Sequence, residues 1–132
     1  MPDTNSSGSG GTTDRWGFTH LELPFPLSTN QLYRAVKGRS ILSERYRAWK
    51  AEAAQALMLQ RAPRIAGPVR LSISLKAPDK RARDGDNLLK CTFDALKNYG
   101  VIEDDSNHII RGFDVEWSSI GAPCIVTIRR AA

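Results

Sequence analysis

From Val69 to Lys76, apolar and polar side chains alternate without a break, and this stretch restricts the fold more than any other. Successive side chains on an extended chain point to opposite sides. Val69, Leu71, Ile73 and Leu75 therefore face one way, and Arg70, Ser72, Ser74 and Lys76 face the other. A strand buried on one face needs a second layer to cover it. Two helical patterns can supply that layer. Ser43 to Arg61 carries Tyr46, Trp49, Ala53 and Leu57 at three- and four-residue spacing, with Ser43 able to cap its start and Pro63 and Gly67 able to end it. Asp86 to Tyr99 is the second, stopped by Gly100. Its Leu88, Leu89, Phe93, Ala95, Leu96 and Tyr99 share one broad face, with Asp86, Lys90, Asp94 and Lys97 opposite.

Further strands are expected around these. Gly17 to Leu23, closed by Pro24 and Pro26, reads as an edge strand. Tyr33–Val36 and Arg39–Leu42 flank Lys37-Gly38 as a short hairpin, and Ile109–Trp117 and Cys124–Arg130 alternate as two more strands. The expected fold is α+β: a small mixed sheet of four to five strands packed against helices over 43–61 and 86–99. Residues 1–14 are rich in Gly, Ser and Thr and read as a disordered tail, leaving 15–132 as a single domain.

The formal net charge is +5, which favours a polyanionic partner. No apolar run approaches the roughly 18–20 residues of a membrane span, and the N-terminus carries no signal-peptide pattern. Cys91 and Cys124 fall in an expected helix and an expected strand, so no disulfide framework is implied and the expected setting is reducing and cytoplasmic.

Against that positive balance, the acidic groups are concentrated. Asp84 and Asp86 lie two residues apart where a loop enters the second helix, and Asp104-Asp105 follow that helix. Carboxylates so placed repel unless a cation compensates. Mg2+ does this with one or two carboxylates, retained waters and phosphate oxygens. Asp104 and Asp105 can join the first pair only if the following chain turns back across the Asp86 end. Lys90, one helical turn after Asp86, could stabilise charge developing on a phosphate or help position a water. Plainer roles exist for each. Asp86 can cap its helix, Asp104-Asp105 can be a solvated turn, and Lys90 can form an exposed i,i+4 ion pair worth roughly 0.3–0.5 kcal/mol. Asp94 and Lys97 read as ordinary solvated residues.

Other templates fail. A calcium loop would need Gly where Leu89 stands and an oxygen ligand where Leu88 stands, and no Asp-x-Lys or Glu-x-Lys of the restriction-nuclease type occurs. No Ser-His-Asp or Cys-His arrangement is legible, nor a phosphate-cradling glycine loop. Lys76, Lys80, Arg81 and Arg83 lead directly into Asp84 and are candidate phosphate contacts, with Arg34, Lys37 and Arg39 as a second stripe. His108 is a candidate ligand or a strand-entry residue, and His20 has only Glu22 as an acidic neighbour. Trp16 is a cap on the core or a surface aromatic. Asp114 and Glu116 mark the solvent face of their strand.

The stretch Arg83-Asp84-Gly85-Asp86-Asn87-Leu88-Leu89-Lys90, then Phe93-Asp94-Ala95-Leu96, Gly100 and Asp104-Asp105-Ser106, resembles the RusA family of Holliday junction resolvases. Leu23-Pro24-Phe25-Pro26 and the run from Ser28 to Arg34 resemble that family's proline-rich start and Ser-x-Asn-x-x-Tyr element. The resemblance covers roughly residues 18–130. It implies a Mg2+-dependent homodimer, with Mn2+ as a substitute metal, that cuts four-way junction DNA in recombination and repair in a bacterial or phage-infected cell. It implies that Asp84, Asp86 and Asp105 are the essential aspartates and Lys90 the essential lysine, with Asp104 the first member of the acidic pair and a further candidate ligand. Asn107-His108 and Pro24-Phe25-Pro26 depart from the family pattern. The alternatives are a non-catalytic junction or duplex binder, and a metal-dependent flap or RNA nuclease.

Overall fold

Alternation decides the sheet, and the sheet decides where everything else sits. The computed structural model describes residues 12–131. Residues 1–11 of the expected tail, and residue 132, lie outside the described residues. In chain order the elements are β1 (Thr12–Thr13), β2 (Thr19–Leu23), β3 (Tyr33–Val36), β4 (Arg39–Leu42), α1 (Glu44–Leu59), β5 (Val69–Leu75), α2 (Leu89–Tyr99), β6 (Ile110–Trp117) and β7 (Cys124–Arg130). Single 3-10 turns at Thr29–Gln31 and Gly85–Leu88 precede β3 and α2. The main sheet has the order β1-β2-β7-β5-β6, and β3-β4 is a separate two-stranded sheet. All neighbours are antiparallel except β5 and β6, which run parallel with Val69 beside Ile110 and Leu75 beside Trp117. The expected α+β class and mixed sheet are present.

The two helices cover one face. Leu21, Leu23, Leu71, Ile73, Leu75, Val126 and Ile128 point into the core from the sheet, and Tyr46, Trp49, Ala53 and Leu57 meet them from α1. Ser43 caps α1, its hydroxyl oxygen accepting the Tyr46 N–H at 3.1 Å. The Trp49 indole N–H donates to the Phe25 carbonyl at 2.8 Å and ties the proline-flanked segment to α1. Gly100 stops α2 in the left-handed region, at φ 94°.

Four details differ from the sequence-based expectation. Thr12 and Thr13, placed in the tail, pair with His20 and Thr19. The second helix opens with a 3-10 turn, which tightens the first residues and rotates the buried face to Leu88, Cys91, Thr92, Ala95 and Leu96. Leu89, Phe93 and Tyr99 are left half-buried on the flank. Finally, Phe113 and Trp117 alternate onto the helix-covered side of β6 as expected, yet they are 52% and 43% exposed because β6 is the sheet edge, where Phe93 of α2 and Phe25 cover them only in part.

Cys91 and Cys124 are both buried and unbonded, and burial pushes each thiol up to about 12. No helix among the described residues is long and apolar enough to cross a membrane.

Candidate metal and nucleic-acid site

The parallel pair β5–β6 sets the geography. The loop leaving Leu75 runs to Asp84 at the carboxyl end of both strands, where open α/β crevices hold ligands. Gly85 lies directly on β6: a Cβ there would sit 3.3 Å from Val115 Cγ1 and 3.8 Å from Trp117 Nε1. Only a residue without a side chain lets the Asp84–Asp86 segment come this close without moving its neighbours. On the other side, the Thr29 hydroxyl donates to the Asn87 carbonyl at 3.1 Å and draws the Ser28–Gln31 turn against the same segment.

Asp84 occupies the cap position of the 3-10 turn, with extended backbone, but its side chain makes no capping bond. Asp86, expected as a cap, sits inside the first turn instead. Both are exposed, and among the described residues neither carboxylate has a hydrogen-bond donor or a cation as partner. Lys90 does not reach back to Asp86. Its ammonium lies 3.4 Å from Asp94, which also accepts the Tyr46 hydroxyl at 3.0 Å. Burial and then the Asp94 carboxylate hold the Tyr46 phenol well above its ordinary range. Asp94, taken from the sequence as a solvated residue, is therefore the anchor of Lys90.

The acidic pair lies elsewhere. Asp104 and Asp105 follow the C-terminal end of α2, so the 11 residues of that helix separate them from Asp84 and Asp86. At 1.5 Å per residue the helix is about 16 Å long. The chain after Gly100 does not turn back. It runs into the amino end of β6, with the Ile109 and Ile110 N–H groups both donating to the Ser106 carbonyl. Among the described residues of one chain, no three His, Cys, Asp or Glu side chains converge on a metal-sized site. The donor set at Asp84 and Asp86 still suits Mg2+, which takes only one or two carboxylates from the protein.

Lys97, also read as solvated, has a partner in this second group. Its ammonium lies 3.2 Å from Asp104 Oδ1 and 3.6 Å from Asp105 Oδ1. The Asp105 backbone N–H, and then Lys97, hold the Asp104 carboxyl down at about 2, while Asp104 raises the Lys97 ammonium. His108 is exposed just before β6. His20 has an acidic partner the sequence reading did not consider, Asp14, at 3.0 Å.

An open cleft of about 940 Å³ adjoins Asp84, lined by Ser28, Asn30, Arg45, Arg83 and Asn87 among others. The cations leading into Asp84 are not equally available to a phosphate. Asp79 holds Arg83 at 2.9 Å and Arg81 at 3.2 Å, and Arg83 stacks on Phe25 with its side chain only 17% exposed. These contacts, the Arg83 side chain first, keep the Asp79 carboxyl well below the usual carboxylate range. Lys76 and Lys80 are exposed, as are Arg34, Lys37 and Arg39 on the β3–β4 hairpin. Arg45, on the first turn of α1, lines the cleft and was not singled out from sequence.

This geometry can be set beside known proteins. The family model described as "Endodeoxyribonuclease RusA" matches residues 24–129. The chain belongs to the RusA endodeoxyribonuclease family. The matched region contains both acidic groups, Lys90, the hairpin and the cleft. The "Crossover junction endodeoxyribonuclease rusA" of Enterobacteria phage 82 is 39% identical over 90 residues, covering 66% of this chain and 73% of the relative. The protein called "Crossover junction endodeoxyribonuclease RusA" in Escherichia coli strain K12 is 38% identical over 89 residues, covering 65% and 72%. Its namesake in Shigella sonnei strain Ss046 is 37% identical over 89 residues. As a RusA family member the chain is an enzyme, an endodeoxyribonuclease.

Proposed function

We propose that this enzyme is a Mg2+-dependent, homodimeric resolvase that cuts four-way junction DNA in recombination and repair, within the cytoplasm. The junction substrate is taken from the names of its relatives. The observation that supports metal-assisted hydrolysis is the state of Asp84 and Asp86. They stand exposed, with no cation partner among the described residues, at the carboxyl end of a parallel strand pair and beside a cleft that carries arginines.

In this reading Asp84 and Asp86 supply two carboxylate ligands. A metal held there would polarise a phosphate and lower the pKa of an attacking water. Lys90, steadied by Asp94, holds its charge one turn from Asp86, within reach of a strand that lies along the start of α2. Arg45, Lys76 and Lys80 bring the backbone in, with Arg34 and Lys37 reaching further along an arm. Arg81 and Arg83 would need to leave Asp79 to contribute, or else act by fixing the loop that carries Asp84.

Asp105, with Asp104 beside it, would be supplied by the partner subunit. β6 is an edge strand, and Phe93, Phe113 and Trp117 form an apolar ridge beside it, with Phe93 and Phe113 5.3 Å apart. Exposed edges with apolar side chains favour pairing with another chain. A two-fold contact along β6 sets the amino end of one strand near the carboxyl end of the other. It would thereby carry Asp105 of the partner subunit toward Asp84 and Asp86. Two such sites suit a substrate with two-fold symmetry.

The test uses a labelled four-way junction with and without Mg2+, with Mn2+ as a second metal. The wild-type protein should cut only with metal. Asp86→Asn should abolish cutting while leaving junction binding largely intact. Cutting by Asp86→Asn at the wild-type rate would remove that ligand from the proposal. Junction that is bound but never cut under either metal, by the wild-type protein, would favour a binding protein. Preferential cutting of flap or RNA substrates in the same assay would redirect the substrate assignment.

A further inference from the structure

A second cleft, of about 620 Å³, lies at the opposite end of the sheet from Asp84, and none of the groups assigned above belongs to it. Trp16 and Phe18 form one wall, Pro63 and Arg64 another, and Arg129 and Arg130 at the end of β7 a third. Trp16 is 72% exposed, which is unusual for the largest apolar side chain unless something covers it. It is nevertheless held on a well-defined turn. Asp14 Oδ1 accepts the N–H of Trp16 at 2.8 Å and that of Phe18 at 3.0 Å, and Asp14 Oδ2 meets His20 Nε2 at 3.0 Å. Arg15 lies over the indole at 4.8 Å.

The charged side chains that line this cleft are all cationic. No Asp or Glu lines it, and among the described residues Arg64, Arg129 and Arg130 have no acidic partner. Arg81 and Arg83, by contrast, share Asp79 as an acidic partner. The Arg64 guanidinium packs against Gly100, where a Cβ would come within 2.5 Å of Nη1, so bare Gly100 gives it room.

We propose that this cleft binds unpaired DNA, with a base stacked on Trp16 and the adjoining phosphates held by Arg64, Arg129 and Arg130. An aromatic platform with a cationic groove is the combination that grips single strands whatever their sequence, since every base has a π-face. A duplex keeps its bases stacked inside and would use only the arginines. The site therefore adds a grip on unpaired nucleotides, separate from the groups that cut.

The experiment measures binding of a labelled oligothymidylate, and of a duplex of equal length, to the full chain in EDTA. EDTA withholds the metal that the proposed cleavage needs, and binding is read directly, so failure of the nuclease proposal does not decide this test. Trp16→Ala should weaken oligothymidylate binding about tenfold while duplex binding changes little. Trp16→Phe should recover most of the loss. Arg129→Ala with Arg130→Ala should weaken both ligands and flatten the dependence on salt. Unchanged oligothymidylate binding by Trp16→Ala, or an equal loss for single strand and duplex, overturns the proposal. So does an inorganic polyphosphate that displaces the oligonucleotide equally well from the wild-type protein and from Trp16→Ala.

Discussion

At the scale of single residues, the acidic side chains divide by whether the protein already neutralises them. Asp79, Asp94 and Asp104 each hold a cation, whereas Asp84 and Asp86 hold none among the described residues. That division was not legible from sequence. Lys90 lies four residues from both Asp86 and Asp94, and only the 3-10 turn before Leu89 decides that it meets Asp94. Asp104 gives a direct check on the second group. Its carboxyl sits at about 2 because of the Asp105 backbone N–H first and Lys97 second. A depressed carboxylate pKa stabilises the fold above the ordinary value of 3.8, and that contribution is lost as pH falls toward about 2. Carbon-detected NMR titration should find the Asp104 midpoint near 2 in the wild-type protein. In Lys97→Ala it should rise, yet remain below the ordinary value because the backbone N–H persists. An unmoved midpoint in the variant would show that Lys97 does not hold Asp104 in solution.

At the scale of elements, α1 was the most legible because its signals are all local. A serine cap, an apolar stripe and a Pro/Gly stop sit within one stretch of chain, and the helix begins and ends within two residues of where they place it. Ser43→Ala is expected to cost about 1–2 kcal/mol in urea-induced unfolding. The upper part of that range applies because the Ser43 hydroxyl also donates to the Gln31 carbonyl at 2.6 Å, joining α1 to the turn that flanks Asn87. A loss below about 0.5 kcal/mol would mean that the cap does not carry this junction. The hairpin was legible for the same local reason. Lys37 and Gly38 both take positive φ, 51° and 75°, the mirror-image turn that matches strand twist. The start of α2 was hidden because a distant partner decides it, and the β1 pairing because Thr12–Thr13 carry no apolar alternation to mark a strand. Gly85 is pressed on Val115, and Thr12–Thr13 are aligned by a turn closed through Asp14 and His20.

At the scale of the whole molecule, one helix keeps the proposed ligands apart, and that separation makes a sharp experiment. Suppose each site takes Asp84 and Asp86 from one subunit and Asp105 from the other. Asp86→Asn alone then disables both sites of a dimer, and so does Asp105→Asn alone. In a mixed dimer the outcome differs. One site combines both defects, while the other joins intact Asp84 and Asp86 of the second variant with intact Asp105 of the first. Mixing the two inactive proteins under conditions that exchange subunits should therefore restore Mg2+-dependent cutting. About half of the dimers would be mixed, each with one working site of two, so the products should be nicked junctions rather than paired cuts. Phe113→Glu, which puts a charge on the ridge beside β6, should weaken dimerisation in analytical ultracentrifugation and prevent the restoration. If subunits demonstrably exchange and the mixture stays inactive, the ligands do not come from two chains. Because α2, about 16 Å long, lies between the two acidic groups and no three acidic side chains converge within one chain among the described residues, Asp105 would then have no role at the metal.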